Sequence, residues 1–201
     1  MPPNVEAFVD LAVIQAGDRY RFGAEVSADD PDPDEWDCSE LIEWLGARLR
    51  ITPKIPDGSW IQYRHCHNHG TTITPAVAIA TRGALLFRFS SDPLKGGRPS
   101  SSHVAISLGD NRTVEARSTS AGVGVFGNAG ARVWTHAALV PGLAYTRAGE
   151  APAAWAAEAW AEAVAAGLLE DRRPGDPVTR QELAAVLTRR SFARHVRRLV
   201  G

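Results

Sequence analysis

A cysteine at the junction between a loop and a helix is the feature that most constrains the fold of this chain. Residues 29–37 are rich in Asp and Pro, which favour loops. From Leu41 onward, apolar residues recur at spacings of three and four, which predicts a helix running to Leu49. Cys38 then lies in the first turn, where free N–H groups and the helix dipole favour an anion. This position predicts a thiol of lowered pKa, and a buried structural cysteine is the alternative.

Length and composition favour one main domain with a small appendage. The chain has 201 residues, and its net charge of -1 gives no global field that would attract nucleic acid. Two cysteines do not make a disulfide framework. No basic stretch followed by an apolar run opens the sequence, and no run is long enough to cross a membrane. We therefore expect synthesis in a cytoplasm without a signal peptide, and no membrane insertion.

The order of predicted elements is two helices followed by antiparallel strands. The apolar pattern from Val5 to Ala16 predicts the first helix, and the helix at Cys38 is the second. A short helix is predicted from Trp60 to Cys66 within an otherwise irregular stretch, and residues 121–130 are a Gly-rich stretch that leads to the last strand. The predicted strands are Ala84 to Phe89, His103 to Leu108, Arg112 to Ala116 and a last one near Arg132 to Trp134. This order predicts an α+β domain in which N-terminal helices pack on an antiparallel sheet.

A change in composition near residues 146–153 predicts a boundary between two parts. We assign residues 1–147 to the main domain and residues 148–201 to a small helical hairpin. An Ala-rich helix follows Trp155, and Thr179 with Glu182 forms a capping box that starts a second helix.

A cysteine nucleophile needs a base, and the base needs a group that orients it. His103 opens a predicted strand directly after a loop, and Glu115 lies on the return strand. A three-residue turn at 109–111 places Glu115 opposite Ala105 and diagonal to His103, about 7–8 Å away between backbones. A turn of two or four residues would place Glu115 on the other face of the sheet. We predict Cys38 as nucleophile, His103 as base and Glu115 as the orienting group.

Five sequence blocks, in order, resemble the NlpC/P60 family of cell-wall cysteine peptidases. The most specific are Asp37-Cys38-Ser39 and the His-Val-Ala-Ile-Ser-Leu-Gly run that begins at His103. The others are Tyr-Arg-Phe-Gly at 20–23, Arg-Gly-Ala-Leu-Leu-Phe at 82–87 and Val-Glu-Ala at 114–116. The resemblance covers residues 5–145, with departures at Glu40, Ala24 and Ala84 from the family pattern.

The resemblance implies a papain-like fold and hydrolysis of an amide bond in peptidoglycan stem peptides, commonly between γ-D-glutamyl and a diamino acid. Cys38, His103 and Glu115 match the positions of the family's nucleophile, base and third residue. Tyr20 matches the tyrosine beside the site, and Ser39 the serine after the nucleophile, so both are candidates for substrate or oxyanion binding. We expect a cysteine endopeptidase that needs no cofactor and no metal.

The C-terminal segment resembles a single surface-layer-homology motif, which implies binding of wall polymer with Arg180 facing anionic groups. A hairpin that only packs on the catalytic domain is the alternative. A wall-acting enzyme without a signal peptide fits a phage lysin or a tail-associated hydrolase that acts on the bacterial cell wall. We expect a monomer whose partner is peptidoglycan.

Three other interpretations compete with this one. The run His65-Cys66-His67-Asn68-His69 is rich in zinc-binding side chains, but its spacing matches no structural zinc pattern. The protein could instead be a non-catalytic wall-binding or structural phage component. It could also be an amidase or acyltransferase that uses the same Cys–His pair.

Overall fold

The structure is a computed structural model that describes residues 2–145. The helices are α1 (Val5–Ile14), α2 (Cys38–Arg48), α3 (Ser59–His69) and α4 (Pro75–Ile79). The strands are β1 (Arg19–Tyr20), β2 (Glu35–Trp36), β3 (Thr72–Ile73), β4 (Leu85–Phe89), β5 (Ser102–Ser107), β6 (Thr113–Ser118), β7 (Gly122–Phe126) and β8 (His136–Ala138). A short 3-10 helix, Ala129–Ala131, precedes β8.

Six of these strands form one antiparallel sheet in the order β3-β8-β4-β5-β6-β7. Helices α1, α2 and α3 contact its central strands, and β1 and β2 make a separate parallel pair. The predicted α+β architecture, with N-terminal helices packed on an antiparallel sheet, is confirmed.

The core lies between the helices and the sheet because each contributes one apolar face. In α1, the buried residues Val5, Phe8, Val9 and Ala12 follow the helical spacing. Alternate residues of β4 and β5, such as Phe87 and its cross-strand partner Val104, join the same cluster. Each large side chain buried in this way stabilises the fold by about 1.5–3 kcal/mol.

The hairpin between β5 and β6 has the register that the sequence predicts. Ile106 pairs with Val114, and the Leu108 N–H donates to the Arg112 carbonyl at 2.9 Å, which leaves a three-residue turn. Gly109 opens that turn at φ 82°, where a Cβ would approach the Arg82 backbone nitrogen to 3.0 Å. The paired residues end at Ile106 and Val114, and Glu115 follows Val114 directly, as Ala105 precedes Ile106, so the register is the one that aligns Glu115 with Ala105 in sequence.

Three sequence-based expectations are wrong in detail. The Gly-rich stretch contains strand β7, because pairing with β6 supplies the hydrogen bonds that glycine propensity alone does not favour. The last strand is His136–Ala138 and not the stretch near Arg132. The region read as irregular also holds β3 and α4, and its helix α3 is longer than predicted. These elements depend on tertiary partners more than on local periodicity.

No helix in residues 2–145 combines the length and apolar character that crossing a bilayer requires. The predicted helical hairpin, the boundary after residue 147 and the wall-binding candidate Arg180 lie outside the described residues and stay predictions.

Candidate active site

The start of α2 is fixed by the carboxylate of Asp37. Its Oδ1 accepts hydrogen bonds from the backbone N–H groups of Ser39 at 2.8 Å and Glu40 at 2.9 Å, as an N-cap residue does. Its Oδ2 accepts from the Gly23 N–H at 3.2 Å, which ties the loop after β1 to the helix. Asp37 therefore holds the first turn, and Cys38 with it, in one position.

Cys38 is buried, with 9% of its surface exposed, at the first position of α2. Burial raises the pKa of its thiol to about 12, and the negative charge of Asp37 adds to the increase. The backbone N–H groups of Val104, Cys38 and Ser39 act in the opposite direction. The prediction that the helix start lowers this pKa is therefore wrong, because desolvation outweighs the N–H groups. At neutral pH the thiol is protonated.

His103 lies at the second position of β5, immediately before the residue whose N–H acts on the Cys38 thiol. The β5–β6 ladder pairs only Ile106 and Ser107 of β5 with β6, so this end of β5 is not paired to β6. The His103 Nε2 lies 2.5 Å from Oε2 of Glu115. Because Val104 follows His103 directly and its backbone N–H acts on the Cys38 thiol, the start of α2 lies against this end of β5.

Glu115 is buried on β6, and both of its carboxylate oxygens have donors. Thr113 Oγ1 donates to Oε1 at 2.6 Å, and Arg132 contacts both oxygens. Burial alone would raise the pKa of Glu115, but the hydrogen bonds from His103 and Arg132 lower it to about 2. An ionised carboxylate only accepts, so Nε2 of His103 donates to it, and a neutral imidazole in this position keeps its one hydrogen on Nε2. Its Nδ1 then has a lone pair that can accept a proton.

Tyr20 and Ser39 occupy different positions around the thiol. Burial, with the charges of Cys38 and Asp37, raises the pKa of Tyr20 to about 12, so its hydroxyl is a proton donor beside the site. The Ser39 hydroxyl donates to Asp37 Oδ1 at 2.9 Å, and its carbonyl accepts from Gln62 Nε2 at 2.8 Å. The structure gives the Ser39 side chain a part in the helix cap, so contact with a substrate through this hydroxyl would require breaking that bond.

Glu40, one of the three departures from the pattern of the resembled family, has a structural partner. Its side chain is buried, and Oε1 accepts the Val26 N–H at 2.9 Å. Burial is the main cause that raises the pKa of Glu40 to about 7, with Glu43 among the charges that add to the increase. Glu40 therefore anchors the loop that precedes α2.

Side chains that could ligate a metal come together at one place in residues 2–145. Donor atoms of Glu40, Glu43 and Asp57 lie within 4.8 Å of one another, but Glu43 pairs with Lys54 at 3.1 Å. The histidine-rich run lies on α3, where Cys66 is buried and His67 is exposed, so these two side chains point apart. The His65 and His69 rings lie 5.0 Å apart, but within residues 2–145 no three donors of this run come within 4.8 Å of one another.

Three residues that contact Glu115 or His103 are not among the predicted site residues: Thr113, Arg132 and Trp134. Thr113 alternates with Glu115 along β6, a spacing that could have indicated a shared face. Arg132 lies 17 positions from Glu115, with the unpredicted strand β7 between them. Short-range periodicity in the sequence therefore could not predict the contact between these two side chains.

The arrangement is capable of acyl transfer. A thiol at a helix start, an imidazole on the strand segment next to it and an ionised carboxylate behind the imidazole are the groups that a cysteine nucleophile requires. The N–H groups at the start of α2 and the Tyr20 hydroxyl supply hydrogen-bond donors beside them.

No protein-family model matches this sequence, and no curated protein matches it. Among solved structures, NlpC2 from Trichomonas vaginalis is 22% identical with a TM-score of 0.51, over 72% of this chain and 48% of that one. The P60 domain of an antigen from M. avium subspecies paratuberculosis is 24% identical with a TM-score of 0.50, over 68% of this chain and 93% of that one. An NlpC/P60 family protein from Bacillus cereus is 18% identical with a TM-score of 0.51, over 70% of this chain and 41% of that one.

The match therefore spans less than half of the Trichomonas and Bacillus proteins and almost all of the mycobacterial domain. At these identities the likeness concerns the fold. The chain has the α+β fold of NlpC/P60 domains.

Proposed function

We propose that this protein is a cysteine peptidase that hydrolyses peptidoglycan, with Cys38 as nucleophile, His103 as general base and Glu115 as the group that orients His103. One observation carries the proposal. Glu115 holds Nε2 of His103 at 2.5 Å, so Nδ1 is the nitrogen left to take the thiol proton, at the strand end where Val104 contacts the thiol. The order of the sequence blocks and the shared fold support the same assignment.

Because the Cys38 thiol is protonated at neutral pH, proton transfer accompanies nucleophilic attack in this mechanism. The proton moves from Sγ to Nδ1 of His103 while Sγ forms a bond to the carbonyl carbon of the scissile amide. The carbonyl electron pair shifts to oxygen, where the Cys38 N–H and the Tyr20 hydroxyl stabilise the negative charge. The N–H groups around Sγ stabilise the sulfur charge that develops.

The tetrahedral intermediate then collapses to an acyl-enzyme. The C–N bond breaks, and the imidazolium of His103 gives its proton to the leaving amine. A water molecule, deprotonated by His103, attacks the thioester carbonyl, and the C–S bond breaks to release the acid and return the proton to Cys38. Throughout, Glu115 stabilises the imidazolium through Nε2.

The finer parts of the proposal rest on the sequence resemblance. They are cleavage between γ-D-glutamyl and a diamino acid in the stem peptide, and the role of a phage-encoded lysin or tail-associated hydrolase. The proposed wall-binding role of residues 148–201, including Arg180, belongs to the part of the chain outside the described residues.

Digestion of purified peptidoglycan, followed by mass spectrometry of the products, tests the proposal. Wild type should release fragments with a new amine and a new carboxyl group, and Cys38→Ala should release none. Cys66→Ala is the matched control, because Cys66 is the other buried free cysteine and lies on α3. Release of whole stem peptides from the glycan would indicate an amidase, and transfer to an added amine would indicate an acyltransferase. Binding to the wall without any product would reject the enzyme for that wall type.

A further inference from the structure

Arg132 makes the most extensive set of contacts to the carboxylate behind His103. Its Nη2 donates to Oε2 of Glu115 at 3.0 Å, and its Nη1 donates to Oε1 of the same group. Nη1 also lies 3.3 Å from Thr113 Oγ1. The guanidinium therefore binds Glu115 with two parallel hydrogen bonds, the geometry that fixes a carboxylate in one plane.

A second contact route joins Arg132 to His103 through Trp134. The Arg132 guanidinium carbon lies 4.4 Å from the centroid of the Trp134 ring, and that ring stacks on His103 with centroids 6.3 Å apart and an interplanar angle of 22°. The indole N–H of Trp134 donates to the Ala129 carbonyl at 3.0 Å, which fixes the ring. Arg132 is therefore linked to His103 in two ways, through Glu115 on one side and through Trp134 on the other.

We propose that Arg132 is a positioning residue for the Cys38–His103 pair, because it fixes the Glu115 carboxylate and balances its charge behind the imidazole. This inference rests on the proposed function, since it assigns Arg132 a part in the same reaction.

The charge balance has a chemical reason. His103 must be neutral to accept the proton that the Cys38 thiol gives up, and the raised pKa of that thiol favours its protonated form. A buried carboxylate without a counter-charge would favour the protonated imidazole and so remove the base at mildly acidic pH. With Arg132 paired to it, Glu115 keeps its acceptor oxygen for Nε2 while its net charge is offset.

In the described part of the chain, titratable and charged groups lie on several of the elements packed around His103. Glu115 contacts it from β6, and Cys38 lies at the start of α2. Arg88 of β4 is its cross-strand partner, and its side chain is exposed. Arg132 is the cation that binds the Glu115 carboxylate directly, so its removal changes the charge next to His103 most strongly.

The test compares Arg132→Gln with Arg112→Gln. Arg112 is a matched control because it also binds a carboxylate with two nitrogens, that of Asp110, but at the exposed turn of the β5–β6 hairpin. We measure how kcat/KM on peptidoglycan fragments depends on pH. In Arg132→Gln, we expect the acidic limb of this pH profile to shift by about one unit to higher pH, with KM little changed. Loss of activity should then be about tenfold larger at pH 6 than at pH 8. Arg112→Gln should leave the profile in place.

Two additions keep the result decisive. Arg132→Lys retains the charge without the planar fork, so kcat should fall while the acidic limb stays near that of wild type. NMR titration of the His103 ring without substrate should show a midpoint raised by about one pH unit in Arg132→Gln and unchanged in Arg112→Gln.

The inference would be overturned if Arg132→Gln shifted neither the acidic limb of the kcat/KM pH profile nor the midpoint of the His103 NMR titration. Arg132 would then have a purely structural role. The proposed function fails separately, if wild type releases no peptidoglycan product, and the NMR titration still tests Arg132 in that case.

Discussion

Replacing Glu40 by Gln should stabilise the protein, and the gain should grow with pH. Glu40 is 4% exposed, and burial raises its pKa from 4.5 to about 7. Gln keeps an oxygen that can accept the Val26 N–H, which now donates to Oε1 at 2.9 Å. Its amide group can also donate to the neighbouring Glu43 or Asp57 carboxylates. The substitution therefore removes a charge without removing the anchor of the loop.

The sign follows from proton linkage. An acid whose pKa is higher in the folded state binds protons more tightly there, so its ionisation costs stability as the pH rises from 4.5 through about 7. Above that range the full cost is about 3 kcal/mol, and below pH 4.5 it vanishes. Glu40→Gln should thus raise the free energy of unfolding by about 2–3 kcal/mol at pH 8 and by less than about 1 kcal/mol at pH 5.

Urea unfolding followed by tryptophan fluorescence at pH 5 and pH 8 measures both values. Glu35→Gln is the matched control, because Glu35 is a half-buried partner of the exposed Arg21 at the surface, where such pairs contribute about 0–1 kcal/mol. A Glu40→Gln variant that is less stable than wild type at pH 8, or equally stabilised at both pH values, would refute the assignment of Glu40 as a buried group with a raised pKa.

Two further predictions concern the thiol and its surroundings. Tyr20→Phe should lower kcat about 10- to 100-fold with little change in KM, measured by steady-state hydrolysis, because a donor to the developing oxyanion is lost; an unchanged kcat would remove Tyr20 from the reaction. Asp37→Asn should speed alkylation of Cys38 by iodoacetamide at pH 7 about threefold or more, since burial and then the Asp37 charge raise the pKa of this thiol. That rate is measured in a Cys66→Ala background, and a rate equal to the parent's would contradict the effect of the Asp37 charge.

The sequence was sufficient where local periodicity and chain topology act together. The helical spacing after Cys38 predicted α2 to within a residue of its end, because its apolar face packs directly on the sheet. The β5–β6 register followed from the turn length, since one residue more or fewer would turn Glu115 to the other face.

Other parts of the site depend on contacts that no local pattern encodes. Strand β7 contains Gly122 and Gly124, whose propensity opposes a strand, yet Gly124 pairs with Glu115 across the ladder. Arg132 reaches Glu115 only because the chain returns past β7 and the 3-10 helix. The pKa of Cys38 was predicted in the wrong direction for a similar reason. Its position in the helix is a local property, whereas its desolvation arises from the packing of several elements.

Trapping of the acyl-enzyme tests the central claim most directly. Wild type mixed with a soluble peptidoglycan fragment, quenched in acid at short times and digested, should carry the acyl group on the peptide that contains Cys38. The same mass mapping should find no adduct on Cys66, and none on either cysteine in His103→Ala. An adduct on another residue, or steady turnover by the Cys38→Ala variant, would contradict Cys38 as the nucleophile.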